Sequence, residues 1–199
     1  MEAVKHRFTV EEYTKMGEAG IFHEDDRVEL IDGEVVEMAA VSARHVESVM
    51  RLNRILSRWA LETGDDNIFV SVQNPMILSE FGEPQPDLAL VRRREGSSGT
   101  PRPEEILLIV EIADSSLAYD KNVKLPLYAG VGIPEAWTVN LKKDEIEVHS
   151  EPGRGGYAKT KRVKRGESVA SETLENFSFA ADGALPPDKA VRETPQNPS

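Results

Sequence analysis

The chain has 199 residues, 39% of them apolar and 30% charged, which fits one soluble domain with or without a tail. It has no cysteine, so disulfides and thiolate metal sites are excluded, and any metal must sit on oxygen or imidazole ligands, as magnesium, manganese or calcium do. A net charge of -11 argues against tight nonspecific binding to nucleic acid, which needs excess basic residues to neutralise phosphates.

The N-terminus, MEAVKHRFTVEEY, lacks the apolar core of a signal peptide, and no apolar run is long enough to span a bilayer, so a cytoplasmic protein with no membrane association is expected. Residues 8–19 suggest a short helix, because Thr9 with Glu12 three residues on makes a capping box. RVELIDGEVVEM, residues 27–38, places two alternating runs around Asp32-Gly33, a strong hairpin signal. Residues 45–61 carry Val46, Val49, Met50, Leu56, Trp59 and Ala60 at helical spacing. Ser42 could cap that helix, and Gly64 with Asp65-Asp66 ends it.

Short strands follow. IFVSVQNPMIL, residues 68–78, contains Pro75 and must be an edge strand or a broken one. Residues 87–91 form an apolar run headed by an acid, and residues 92–104 form a polar loop. ILLIVEI, residues 106–112, is apolar except for Glu111 and suggests a central strand covered on both faces. Residues 117–129 read as a helix with an awkward Pro126. A strand over 135–141 and a hairpin over 145–164 around Pro152-Gly153 complete the domain. The fold class is α/β (α+β): a mixed central sheet flanked by helices, with an N-terminal helix and hairpin. The domain is expected to span residues 1–182, and the composition of 183–199 is that of a disordered tail. Two basic runs, residues 92–94 and 158–165, read as solvated surface or as local patches.

Asp87 and Glu111 break the apolar logic of their strands. Ionised carboxylates are costly to bury without cations or several hydrogen bonds, and two brought together raise each other's pKa unless a positive charge lies between them. A divalent metal supplies that charge, and Mg²⁺ is typically held by one or two carboxylates plus water and phosphate oxygens. DKNVKLPLY, residues 120–128, then offers Asp120, Lys124 and Tyr128 at a spacing of four, one face of a helix. The same spacing would also serve a simple surface ion pair between Asp120 and Lys124.

A proline-aspartate, an acid in an apolar strand 24 residues on, and a following lysine resemble the PD-(D/E)xK nuclease superfamily. RVELIDGEVVEM, His45, QPDLALV, LLIVEIADSS and YDKNVKLPLYAGVGIPEAW, taken in order over roughly residues 8–180, resemble the Uma-type restriction-endonuclease-like family. The resemblance implies a restriction-endonuclease-like core, Asp87 and Glu111 as ligands of Mg²⁺ (or Mn²⁺), and Lys124 as the site lysine. The superfamily's usual lysine position, two residues after the acid, is Ala113 here, so the lysine has moved to the next helix. Lys121 competes for the role but projects from a different face. The resemblance also suggests Glu29 as an additional acid of the site, against the alternative of an exposed strand acid. His45 is a phosphate contact, a proton shuttle, or a helix-start residue without chemistry. Gln73 could touch metal-bound water, but an edge-strand amide is the expected reading. His6, His23 and His149 have no ligand spacing, and Trp59 and Trp137 read as core.

The implied activity is metal-dependent endonucleolytic hydrolysis of DNA, by a chain that forms a homodimer if it cuts both strands. Two alternatives stay open. One is a non-catalytic binding or interaction module on the same fold, and the other a metal-dependent phosphoesterase for a small substrate.

Overall fold

The structure is a computed structural model that describes residues 4–23, 25–94 and 96–187. Its centre is a six-stranded sheet in the order β3 (Ile68–Val72), β4 (Leu88–Arg92), β5 (Ile106–Ala113), β6 (Glu135–Asn140), β7 (Glu145–Gly153), β8 (Gly156–Lys164). All neighbours are antiparallel except β5 and β6. A parallel pair needs a crossover, and here it runs through α3 (Leu117–Tyr119), a π-helical turn (Asp120–Lys124) and α4 (Leu125–Gly130).

Alternation along the strands sorts the core into two layers. Leu88, Leu90, Leu108, Val110 and Ile112 face α2 (Ala43–Glu62), together with Leu52, Leu56 and Trp137. Ala89, Val91 and Ile109 face α4 and pack on Leu125, Tyr128 and Ile133. β5 is therefore covered on both sides, as its unbroken apolar run requires. Asp87 and Glu111 share the parity of Ala89 and Ile109 and belong to the α4 side.

Three smaller elements attach to this frame. Helix α1 (Val10–Glu18) starts at a complete Thr9–Glu12 capping box. The hairpin of β1 (Val28–Ile31) and β2 (Glu34–Glu37) turns at Asp32 and Gly33, both with positive φ. It is tied to the segment between β3 and β4 by paired hydrogen bonds between Leu30 and Glu83. The ribbon of β9 (Ser168–Ala170) and β10 (Ser178–Ala180) brings Val169, Phe177 and Phe179 under α2, where Phe177 stacks on Trp137. No helix among the described residues is long and apolar enough to cross a membrane.

Four sequence expectations need correction. The buried face of α2 is His45, Ser48, Val49, Leu52, Leu56 and Ala60, whereas Val46 and Met50 are 45% and 67% exposed. Trp59 is only partly buried, at the margin of the core. The β7–β8 turn is Arg154-Gly155, because Gly153 pairs with Gly156 and Pro152 lies within the strand. The packed domain also does not stop at residue 182. Ala184 and Leu185 are buried, and the Ala184 carbonyl accepts a hydrogen bond from Ser48 Oγ at 3.0 Å. The rest of the expected tail, residues 188–199, lies outside the described residues.

Candidate active site

Pro86 cannot donate to a ladder, so strand pairing fades just before β4 and leaves Asp87 at the sheet's rim. Leu88 pairs with Val110, and one further step of that antiparallel register sets Asp87 opposite Glu111. Asp87 is held from three sides. Its Oδ2 accepts from the Ile112 amide at 2.8 Å. Its Oδ1 meets His45 Nε2 at 2.9 Å and the Gln73 side-chain amide at 3.3 Å. Ser42, the N-cap of α2, bonds the His45 amide and so fixes the helix end that delivers the imidazole. Gln73 has φ 48° and donates its own N–H to the Asp87 carbonyl, which aims its side chain inward. It is thus part of the cradle of Asp87 and not a bare edge-strand amide.

Glu111 is buried beneath the crossover. Its Oε1 accepts from the Tyr128 hydroxyl and lies 3.3 Å from Lys124 Nζ. Lys124 Nζ also lies 3.0 Å from Glu29 Oε2, and the same oxygen accepts the Gln85 amide. Glu29 is therefore a buried site acid rather than an exposed strand residue. Lys121 points elsewhere, onto Glu147, which also takes Arg162. Ala113, in the superfamily's usual lysine position, is buried beside Asn140. The lysine that reaches the acids is Lys124. Asp120 is also buried and accepts from Ser116 Oγ at 2.7 Å.

Glu29, His45, Asp87, Glu111 and Lys124 line one cavity of about 240 Å³, lined also by residues 36–42 and by Asp114, Ser115, Ser116, Tyr119 and Asp120. A larger groove, of about 590 Å³, lies beside Trp59, and its charged residues Glu62, Arg92 and Glu175 are all exposed. Only the smaller cavity brings the five residues together.

Burial raises the Glu111 carboxyl to about 8; the nearby Lys124 ammonium works against this rise, and Asp87 and Asp120 add to it. Burial also lifts Asp120 to about 6 and the Tyr119 phenol to about 12. Burial alone would lower Lys124, but Glu111 and Glu29 outweigh it and hold the ammonium above its ordinary value. Its two carboxylate neighbours thus favour the charged, hydrogen-bond-donating form of Lys124. His149 is buried between Thr138 and Thr160, and burial drops it to about 4, so it is a neutral core residue.

Among the described residues, no group of three or more His, Asp or Glu side chains is arranged to hold a metal by itself. What the cavity does offer is a facing pair of carboxylates, hard oxygen donors with no sulfur nearby. That suits a cation such as Mg²⁺, which keeps waters and phosphate oxygens in its shell, and does not suit an all-protein cage. Six acids line the cavity (Glu29, Glu37, Asp87, Glu111, Asp114, Asp120), against the cations Arg27 and Lys124. Much of the basic surface is also spoken for. Arg92 pairs with Asp65, Arg93 with Glu105, Lys159 with Glu172, and Arg165 with Asp144 and Asp182.

The sequence signals point to Glu29, Asp87, Glu111, Asp120 and Lys124, which line this cavity, but not to Glu37 or Asp114, which line it too. Gln85, Ser116 and Tyr119 were missed, because Gln85 lies in a loop and Ser116 and Tyr119 in the single-turn helix α3 and its N-cap, too short to leave a periodic signature.

No curated protein matches the chain. Among solved structures, it is similar to one from Anabaena variabilis ATCC 29413 described as "a putative nuclease belonging to DUF820". The two share 12% identity with a TM-score of 0.67, over 89% of this chain and 97% of that one, a likeness of fold. The family model Uma2, described as "Putative restriction endonuclease", matches residues 10–182. That span holds the hairpin, both strand acids and the crossover lysine, and the chain belongs to the Uma2 family of restriction-endonuclease-like proteins.

Proposed function

We propose that this protein is a metal-dependent endonuclease that hydrolyses phosphodiester bonds in DNA, with Asp87 and Glu111 as the ligands of Mg²⁺ or Mn²⁺. The observation that supports it best is the convergence of two facing carboxylates and a charged lysine on one cavity. Even with Glu111 protonated, the remaining acids of the wall outnumber its two cations and repel a phosphate, so a bound cation would ease the entry of a DNA backbone. When bound, the metal polarises the scissile phosphate and lowers the pKa of an attacking water.

The protein's own groups do the rest. Lys124 donates to the attacking water or to a non-bridging phosphate oxygen and stabilises the charge that develops there. Glu29 orients the Lys124 ammonium from the side opposite Glu111. His45, Gln73 and the Ile112 amide hold Asp87 in one rotamer, and Tyr128 does the same for Glu111. A group held this firmly loses little orientation in the reaction. Two copies of the chain, as a homodimer, would set one site on each DNA strand.

The test is plasmid cleavage in Mg²⁺ and in Mn²⁺ by the wild type, Asp87→Ala and Lys124→Ala, each checked by thermal melting. Cleavage by the wild type is expected, with a loss of a hundredfold or more in both variants. Equal cleavage by three folded proteins rejects the proposal. Metal binding by a wild type that cuts no DNA or RNA would favour a non-catalytic binding module.

A further inference from the structure

Four buried side-chain polar atoms among the described residues have no hydrogen-bond partner: Arg44 Nε, His45 Nδ1, Arg165 Nε and the Tyr119 hydroxyl. The first three belong to groups already held through another nitrogen. Arg44 bonds the Leu141 carbonyl and Asp144, His45 bonds Asp87, and Arg165 bonds the Pro186 carbonyl and Asp182. The phenol of Tyr119 has a single polar atom, and that atom is unsatisfied. A buried polar group without a partner costs free energy, so this hydroxyl lowers stability unless something completes its bond.

Its position says what could. Tyr119 closes α3, directly before the π-turn that carries Lys124, and it lines the same cavity as Asp87, Glu111 and Lys124. Burial, and after it the carboxylates of Glu29, Asp120 and Glu111, oppose its ionisation, so the phenol is an O–H donor near neutral pH. A donor in a cavity with an ammonium and a candidate cation site suits an oxyanion, in the way that preorganised donors face developing negative charge.

We infer that the Tyr119 hydroxyl is a substrate-binding group that donates a hydrogen bond to a non-bridging oxygen of the phosphate ester. This rests on the phosphodiesterase reading above and adds a third contact to the phosphate, beside Lys124 and the metal. No bond is made or broken at Tyr119. It supplies a neutral donor that neither competes for the metal nor titrates in the working range.

The test compares the full-length wild type with Tyr119→Phe, which removes only the oxygen. Inorganic phosphate is titrated into each by calorimetry in Mg²⁺ buffer, and plasmid cleavage is measured in parallel. Phosphate binding is expected to weaken about tenfold or more in Tyr119→Phe, the size of one hydrogen bond to a charged group, with a matching fall in kcat/KM. The variant is expected to melt no lower than the wild type, because the lost hydroxyl had no partner. Equal phosphate affinity in the two proteins overturns the inference, as does a wild type that binds no phosphate. The two readings fail separately. Phosphate affinity that depends on Tyr119 in a protein that cuts nothing leaves this inference standing and removes the nuclease. Cleavage that is unchanged in Tyr119→Phe, with unchanged phosphate affinity, does the reverse.

Discussion

Glu111 is the residue on which the candidate site turns, because it is at once a buried acid of the cavity and a proposed metal ligand. Its carboxyl sits at about 8, so near neutral pH much of it holds a proton that a cation must displace. The sign follows from the direction of the shift. An acid whose pKa is raised from 4.5 on folding takes up a proton relative to the unfolded chain between those two values. The metal-free protein therefore loses the contribution of this group as pH rises from about 4.5 to about 8. Metal binding runs the other way, strengthening with pH up to about 8 and then levelling off. We expect Mn²⁺ affinity to climb up to tenfold per pH unit between pH 6 and 8, with proton release seen by calorimetry in buffers of different ionisation enthalpy. Glu111→Gln should flatten that slope. A pH-independent affinity in the wild type would show that Glu111 does not ligate the ion.

The crossover between β5 and β6 is where element geometry decides the chemistry. Sequence spacing put Asp120, Lys124 and Tyr128 on one face of an α-helix, and the three do converge, but with Asp120 and Lys124 on a π-turn and Tyr128 on α4. Pro126 explains the turn. It has no N–H for the Asn122 carbonyl, and its ring crowds that carbonyl, so the ladder slips and the Leu125 amide bonds Asp120 instead. The wide turn sends Lys121 to Glu147 and Lys124 to Glu111, two acids in one row of the sheet, since Glu111 and Glu147 both pair with Thr138. Pro126 is exposed, so Pro126→Ala removes no packing. It should restore a regular ladder, keep or raise the melting temperature, and still reduce plasmid nicking tenfold or more as Lys124 shifts off Glu111. Unchanged nicking in a stably folded variant would mean that the π-turn is not needed to place the lysine. The strands were legible in the sequence because apolar runs and Asp-Gly are local signals. The π-turn was not, because a spacing of four fits an α-turn as well. The buried face of α2 was misread for a related reason: it uses His45 and Ser48, polar residues whose burial depends on the distant partners Asp87 and Ala184.

At the scale of the whole molecule, the C-terminal segment shows how composition can mislead. Residues 183–199 have the proline and polar content of a disordered tail, yet the first of them close the α2 side of the core. Leu185 is 1% exposed and Ala184 is fully buried. Ser48 Oγ and the Arg165 guanidinium donate to the carbonyls of Ala184 and Pro186. Burial of a leucine contributes about 1.5–3 kcal/mol, and a buried donor left without its acceptor costs about 1–3 kcal/mol. A chain ending at residue 182 should therefore be less stable than one ending at residue 187 by about 4 kcal/mol, a large part of the 5–15 kcal/mol typical of a domain. For a domain of this size that is a fall in Tm of roughly 10 °C, measured by circular dichroism on the two truncations side by side. The effect extends to the site, because α2 carries His45 at one end and Ser48 one turn later. Loosening the packing at Ser48 loosens the helix end that holds Asp87. The shorter chain should thus also bind Mn²⁺ more weakly at temperatures where it is still folded. Equal melting of the two truncations would show that residues 183–187 rest on the core without supporting it.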